Sequence, residues 1–246
     1  MDPIKKLFDL TISTALVIMG LTYSVSLKAK EISPHKRTFD VDGVSFSMVK
    51  IGVPENCLQV EFQPRFYDRS SKDICRDYWI GETEVTQKLY ETVMGNNPSS
   101  DRHKGPNNPV NKVSLRDAKA FLKQISKRMG TAFRLPTQAE WIYACRAAAS
   151  VGPKTSLGWV SHNSDREAHP VATSDKNAIG IYDMLGNVAE WAKPNKPLQP
   201  GYIYYWVLGY HYNAGAYSGD EICSQAMKRY SFNRTPIIGL RLAKDE

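Results

Sequence analysis

Apolar and polar residues alternate at Val44, Phe46 and Met48, and again at Leu58, Val60 and Phe62, the period of strands that bury one face. Gly52, Pro54 and Asn56 punctuate the gap, so the two runs are expected to pair as a hairpin, with a further strand at Tyr78–Ile80. The period then becomes helical. Leu89, Tyr90 and Val93 share one face of a segment opened by Thr86 and closed by Gly95, Asn96 and Pro98. Ser114 with Asp117 resembles a capping box, followed by Ala118, Phe121, Leu122 and Ile125 at helical spacing before Gly130. Thr137 with Glu140 forms a second capping-box pattern after Pro136, and Trp141, Ala144 and Cys145 make the inward face of a third helix. From Ser150 onward no long periodic segment follows, only short strand-like runs at Tyr202–Val207 and Ile238–Leu242 among Gly, Pro, Asn, Ser and aromatic residues. The pattern predicts an α+β fold, loop-rich, with about three helices and short sheets. Its long ordered loops need disulfides or bound cations to hold them.

Residues 177–191 break both periods. Gly180 and Gly186 allow turns closed to other residues, so Tyr182, Met184, Leu185 and Trp191 can point inward while Asn177, Asp183, Asn187 and Glu190 offer oxygens around the same turns.

With 246 residues, 42% of them hydrophobic, the chain is long enough for one domain with a sizeable core. The net charge of +7 is spread among carboxylates, with no basic run or nucleic-acid-binding motif, so nucleic acid is not an expected partner. Lys5 and Lys6 precede an apolar run from Leu10 to Leu21 that fades into Ser26, Leu27, Lys28 and Ala29. Residues 1–29 therefore read as a signal peptide or an N-terminal membrane anchor, 30–38 as a linker and 39–246 as the folded domain. The expected location is the periplasm or cell envelope, with membrane contact only through an uncleaved N-terminal segment. Export makes the four cysteines candidates for disulfides, with three pairings open. Local pairing of Cys57 with Cys75 would leave Cys145 and Cys223 to close a long loop.

Five blocks in order, Tyr78–Ser99, Pro109–Ser126, Phe133–Ala148, His169–Trp191 and Ile238–Ala243, resemble the formylglycine-generating enzymes, or sulfatase-modifying factors. The resemblance implies a loop-rich variant of the C-type lectin fold. It also implies both disulfides, Cys57 to Cys75 flanking the first loop and Cys145 to Cys223 joining the third helix to the chain before the last strand.

Enzymes of this family oxidise a substrate cysteine with copper(I) held by two thiolates, soft ligands for a soft ion. Counting back from Cys223, those positions fall at about Asn213 and Ser218, neither of which supplies sulfur. Copper is therefore not expected. The alternative, that Cys145 and Cys223 themselves hold a metal, fits their positions less well than the structural bridge does. No histidine spacing of an iron-dependent sulfoxide synthase, no GxSxG elbow and no phosphate loop occurs.

Calcium, taking hard oxygen ligands, is the cofactor the resemblance implies, in a structural role. Its candidate ligands are Asn187, Glu190 and the carbonyls of Gly186 and Val188, with Asn177 and Asp183 in a neighbouring set. The competing reading is that these side chains cap turns without an ion. The altered segment around Tyr210, His211, Tyr212, Asn213 and Ser218 lies where the family has its substrate cleft and is the candidate binding surface. The expectation is an exported, non-catalytic binding or scaffolding protein of an envelope assembly such as a secretion system, with envelope proteins as partners. Two alternatives are an enzyme with an unrecognised site near His211 and Tyr212, and a lectin-like receptor for glycan or peptidoglycan.

Overall fold

The computed structural model describes residues 35–62, 70–146, 158–195, 204–215, 223 and 226–246. The N-terminal apolar run, the linker up to residue 34, and Tyr202, Tyr217 and Ser218 lie outside the described residues.

In chain order the strands are β1 (Lys36–Val41), β2 (Val44–Ile51), β3 (Leu58–Phe62), β4 (Ser70–Ile74), β5 (Tyr78–Gly81), β6 (Ala189–Ala192), β7 (Tyr204–Leu208), β8 (Ala226–Tyr230), β9 (Ile238–Gly239) and β10 (Ala243–Asp245). The helices α1 (Gln87–Met94), α2 (Leu115–Met129) and α3 (Gln138–Arg146) lie between β5 and β6. One antiparallel sheet has the order β1-β2-β5-β10, a second is the β3-β4 ribbon, and a third has the order β8-β7-β6-β9. In the third sheet only β6 and β9 run parallel. The final stretch of chain enters the third sheet as β9 and the first as β10, so Leu240, Arg241 and Leu242 link the two larger sheets.

The expected hairpin of β2 with β3 does not form. β2 turns back on β1 through Asp42 (φ 51°) and Gly43 (φ 81°), and β3 pairs with β4 instead. Asp-Gly between two strands is the two-residue turn whose twist matches that of the flanking ladder. β1 also begins at Lys36, inside the segment read as a polar linker. It is an edge strand that buries only Phe39 and Val41, and charge on its other positions is what an edge strand tolerates.

The three helices form where their terminal signals place them. Thr86 Oγ1 accepts from Leu89 N at 3.2 Å, and Gly95 closes α1 in the left-handed region at φ 76°. Ser114 and Asp117 cap α2 reciprocally, and Thr137 with Glu140 does the same for α3, at 2.7 and 3.2 Å. Their apolar faces fill two adjoining cores. In one, Tyr90 stacks on Phe121 at 5.1 Å beside Met48, Trp191 and Leu240. In the other, Ile80, Trp141, Ile142 and Leu208 surround the Cys145–Cys223 disulfide. The Cys57–Cys75 disulfide closes the base of the β3-β4 ribbon, one residue beyond the Leu58–Ile74 pair. Among the described residues no helix is long and apolar enough to cross a membrane.

Candidate functional site

The turns of residues 177–191 consume the polar groups they carry. Asn177 Oδ1 accepts from the amides of Ile179 and Ile181, at 3.2 and 2.9 Å, while its Nδ2 donates to Ala144 O at 2.9 Å. Asp183 accepts from Ser174 Oγ at 2.6 Å and from Ala172 N at 2.8 Å. Asn187 clasps the backbone of His169, its Oδ1 accepting at 3.0 Å and its Nδ2 donating at 3.2 Å. Gly186, at φ 99°, passes so near the Trp159 carbonyl oxygen that a Cβ would lie 2.0 Å from it, so only glycine fits.

Glu190 stands at the centre of this knot, on β6. Arg241, arriving on the link between β9 and β10, donates to Glu190 Oε1 from Nε at 3.0 Å and from Nη2 at 2.8 Å. The guanidinium also donates to the carbonyls of Gly81 and Tyr182, both at 3.0 Å. Trp141 Nε1 donates to Glu190 Oε2 at 2.6 Å. Both ionic side chains are buried, and the pair satisfies its hydrogen-bonding groups inside the core, as a buried ion pair must.

This geometry does not suit the calcium set expected from the sequence. Glu190 turns its carboxylate to a guanidinium and an indole, and the Asn187 oxygen is taken by a backbone amide. A divalent ion there would face the positive charge of Arg241 at close range. Among the described residues no group of three or more His, Cys, Asp or Glu side chains converges as a metal cluster. Asn187 is spent on the backbone of His169, and Glu190 on Arg241 and Trp141. Their neighbours Asn177 and Asp183 are likewise spent on backbone and hydroxyl donors.

Glu84 is the residue that the sequence did not single out. It is 2% exposed, and neither carboxylate oxygen has a hydrogen-bond partner. Burial, and after it the nearby charge of Asp183, pushes its carboxyl well above the usual range. Burial also raises Asp183, against the opposing hydrogen bonds from Ser174 and Ala172. The nearby cation that would favour its charged form, Arg241, is already committed to Glu190.

The altered segment follows β7. Tyr212 is only 6% exposed and packs with Ala168 and Val188, 4.9 Å from the His103 ring, so it is a core residue rather than a binding one. Its carbonyl accepts from Ser164 Oγ at 2.6 Å and its amide donates to Asn187 O at 2.8 Å, tying the segment to the knot. Tyr210 and His211 are half-buried and Asn213 is exposed. Burial, followed by the charge of Arg229, pulls the His211 imidazole down to about 4. His211 is therefore neutral at pH 7, and its Nδ1 accepts from the Asn213 amide at 3.3 Å. His103 accepts from the Ala168 amide, and His169, whose ring stacks on Trp159 at 3.8 Å, bonds to Ser164 O, so both histidines are engaged with backbone groups.

All four cysteines are in disulfides, Cys57–Cys75 and Cys145–Cys223, so no thiolate remains for a soft metal ion. Two disulfides in one chain fit an oxidising, extracytoplasmic compartment.

Known proteins share this architecture. Chaperone protein LppX of Paenibacillus barcinonensis is 30% identical over a match covering 47% of this chain and 61% of that protein. Formylglycine-generating enzyme of Streptomyces coelicolor is 32% identical, with 35% of this chain and 32% of the enzyme covered. The chain thus spans less than two thirds of the length of either relative. Treponema denticola variable protein 1 superposes with a TM-score of 0.72 over 87% of this chain and 100% of its own, at 23% identity, a likeness of fold. Residues 52–246 match the sulfatase-modifying factor enzyme 1-like domain, and the chain belongs to that family.

Proposed function

We propose that this protein is an exported, non-catalytic binding module that engages another protein of the cell envelope, as a scaffold within an assembly such as a secretion apparatus. The observation that carries this reading is the commitment of every cysteine to a disulfide, which leaves no thiolate to hold copper. A relative that bears the name of a chaperone supports a role in handling a protein partner. The contact surfaces we assign are the exposed Asn213 turn, which follows the Leu208 end of β7, and, toward the other end of the β7-β8 ladder, the outer strand β8 with the turn after it. There Phe232 is 65% exposed and stacks on Tyr230 at 5.1 Å. Large aromatic rings are favoured contact residues because they bury much area at low entropic cost.

Photo-crosslinking amino acids placed at Asn213 and Phe232 in cells, with Glu91 on the exposed side of α1 as control, test this reading. The expected result is one protein adduct shared by the first two positions and absent at Glu91. Adducts to peptidoglycan alone, or an identical pattern at all three positions, would overturn it.

A further inference from the structure

A groove of about 430 Å³ runs between one face of α2, the chain at Phe133–Leu135, the end of β6 and Tyr205 of β7. Its floor is apolar, made by Leu115, Leu122, Phe133, Leu135, Ala192 and Pro194. Leu115, Lys119, Leu122, Lys123 and Ser126 follow helical spacing, so α2 contributes both floor and rim along one stripe.

The rim carries an unbalanced charge. Lys119, Lys123 and Lys193 are all exposed and line the groove. Among the described residues none of the three has a carboxylate within ion-pair distance. Lys119 Nζ instead lies 5.3 Å from the centre of the Tyr205 ring. Arg134, the remaining cation of the lining, is neutralised by Glu140 at 2.7 Å and Asp245 at 2.6 Å. The groove therefore pairs an apolar slot with three ammonium groups that no carboxylate among the described residues neutralises. Its volume falls in the small-molecule range of roughly 300–1,000 Å³, near the lower end. Too little surface is offered for a stable protein interface, which needs about 800 Å² on each partner.

From this juxtaposition we infer that the groove binds a single-chain carboxylate amphiphile, a free medium-chain fatty acid, with its tail on Leu115, Leu122, Phe133 and Leu135 and its carboxylate among Lys119, Lys123 and Lys193. The apolar contact is set by chain length and the head-group contact by charge, so the two halves of the site are separable by experiment.

Isothermal titration of the full chain with octanoate, decanoate and dodecanoate below their micellar concentrations tests the inference. Affinity is expected to rise about threefold to fourfold for each added methylene until the slot is full. Dodecyltrimethylammonium, with the same tail and opposite charge, is expected to bind at least tenfold more weakly. The variant Lys119→Glu/Lys123→Glu, on exposed positions where the fold is touched only through the contact of Lys119 with the Tyr205 ring, should melt within a few degrees of wild type and lose dodecanoate binding at least tenfold. A second variant, Leu122→Trp, blocks the slot and should abolish the chain-length dependence. The inference is overturned if the cationic and anionic amphiphiles bind alike, if charge reversal leaves affinity unchanged, or if the protein binds anionic vesicles but not monomeric dodecanoate.

Discussion

Glu190 and Arg241 show how a charged side chain becomes structural. Each is enclosed, yet the carboxylate receives three donor groups and the guanidinium reaches three separate elements. Removing one partner of such a pair leaves an uncompensated buried charge and costs about 3–5 kcal/mol. Glu190→Gln should therefore lower the melting temperature sharply, and by the same amount with added calcium as with a chelator; a loss seen only in calcium would restore the metal-ligand reading. Glu84 poses the opposite case, a carboxyl with no hydrogen-bond partner. Its folded-state pKa is raised above the unfolded value by burial, so the folded chain keeps a proton that the unfolded chain has lost. Stability linked to Glu84 is thus greatest below the unfolded pKa of about 4.3 and falls as pH rises toward the folded pKa. Glu84→Gln removes that fall: its melting temperature relative to wild type should increase from pH 4 to pH 8. A difference that stays constant across this range would contradict the account.

At the scale of elements, the helices were legible because each carries its boundary in the sequence. Ser114 and Asp117, Thr137 and Glu140, and the glycines after α1 and α2 act within a few residues of themselves. Strand pairing was less legible. The runs at Val44 and Leu58 are strands, but their alternation does not name a partner; the Asp42–Gly43 turn does, and it gives β2 to β1. β8 was missed because Ala226–Tyr230 has no clear alternation and all of its residues are partly exposed or exposed at the sheet edge. The oxygens of residues 177–191 were visible, but their partners were not. Ala144, Ser174, His169 and Arg241 come from across the fold, so whether an oxygen would meet an ion or an amide could be decided only in three dimensions. The burial of Tyr212 is likewise invisible in the sequence, since its neighbours His103 and Val188 are distant along the chain.

Among the described residues of the whole molecule, two four-stranded sheets, a two-stranded ribbon, three α-helices and two disulfides support long loops, and most of the polar side chains of residues 177–191 find partners within the fold. The bridge from α3 to Cys223 spans 78 residues of chain, and closing a loop of that length contributes about 4 kcal/mol in the chain-entropy model. That bridge commits sulfur to stability. The family's oxidation of cysteine needs thiolates for copper, and the fold keeps none in reserve. The proposed contact surface and the proposed amphiphile groove both lie on outer faces of this core. The most direct measurement is to incubate the disulfide-intact, copper-supplemented protein with a cysteine-containing peptide in oxygenated buffer and read the peptide by mass spectrometry. The cysteine is expected to remain free of aldehyde; formylglycine formed above the copper-only control would contradict a non-catalytic role.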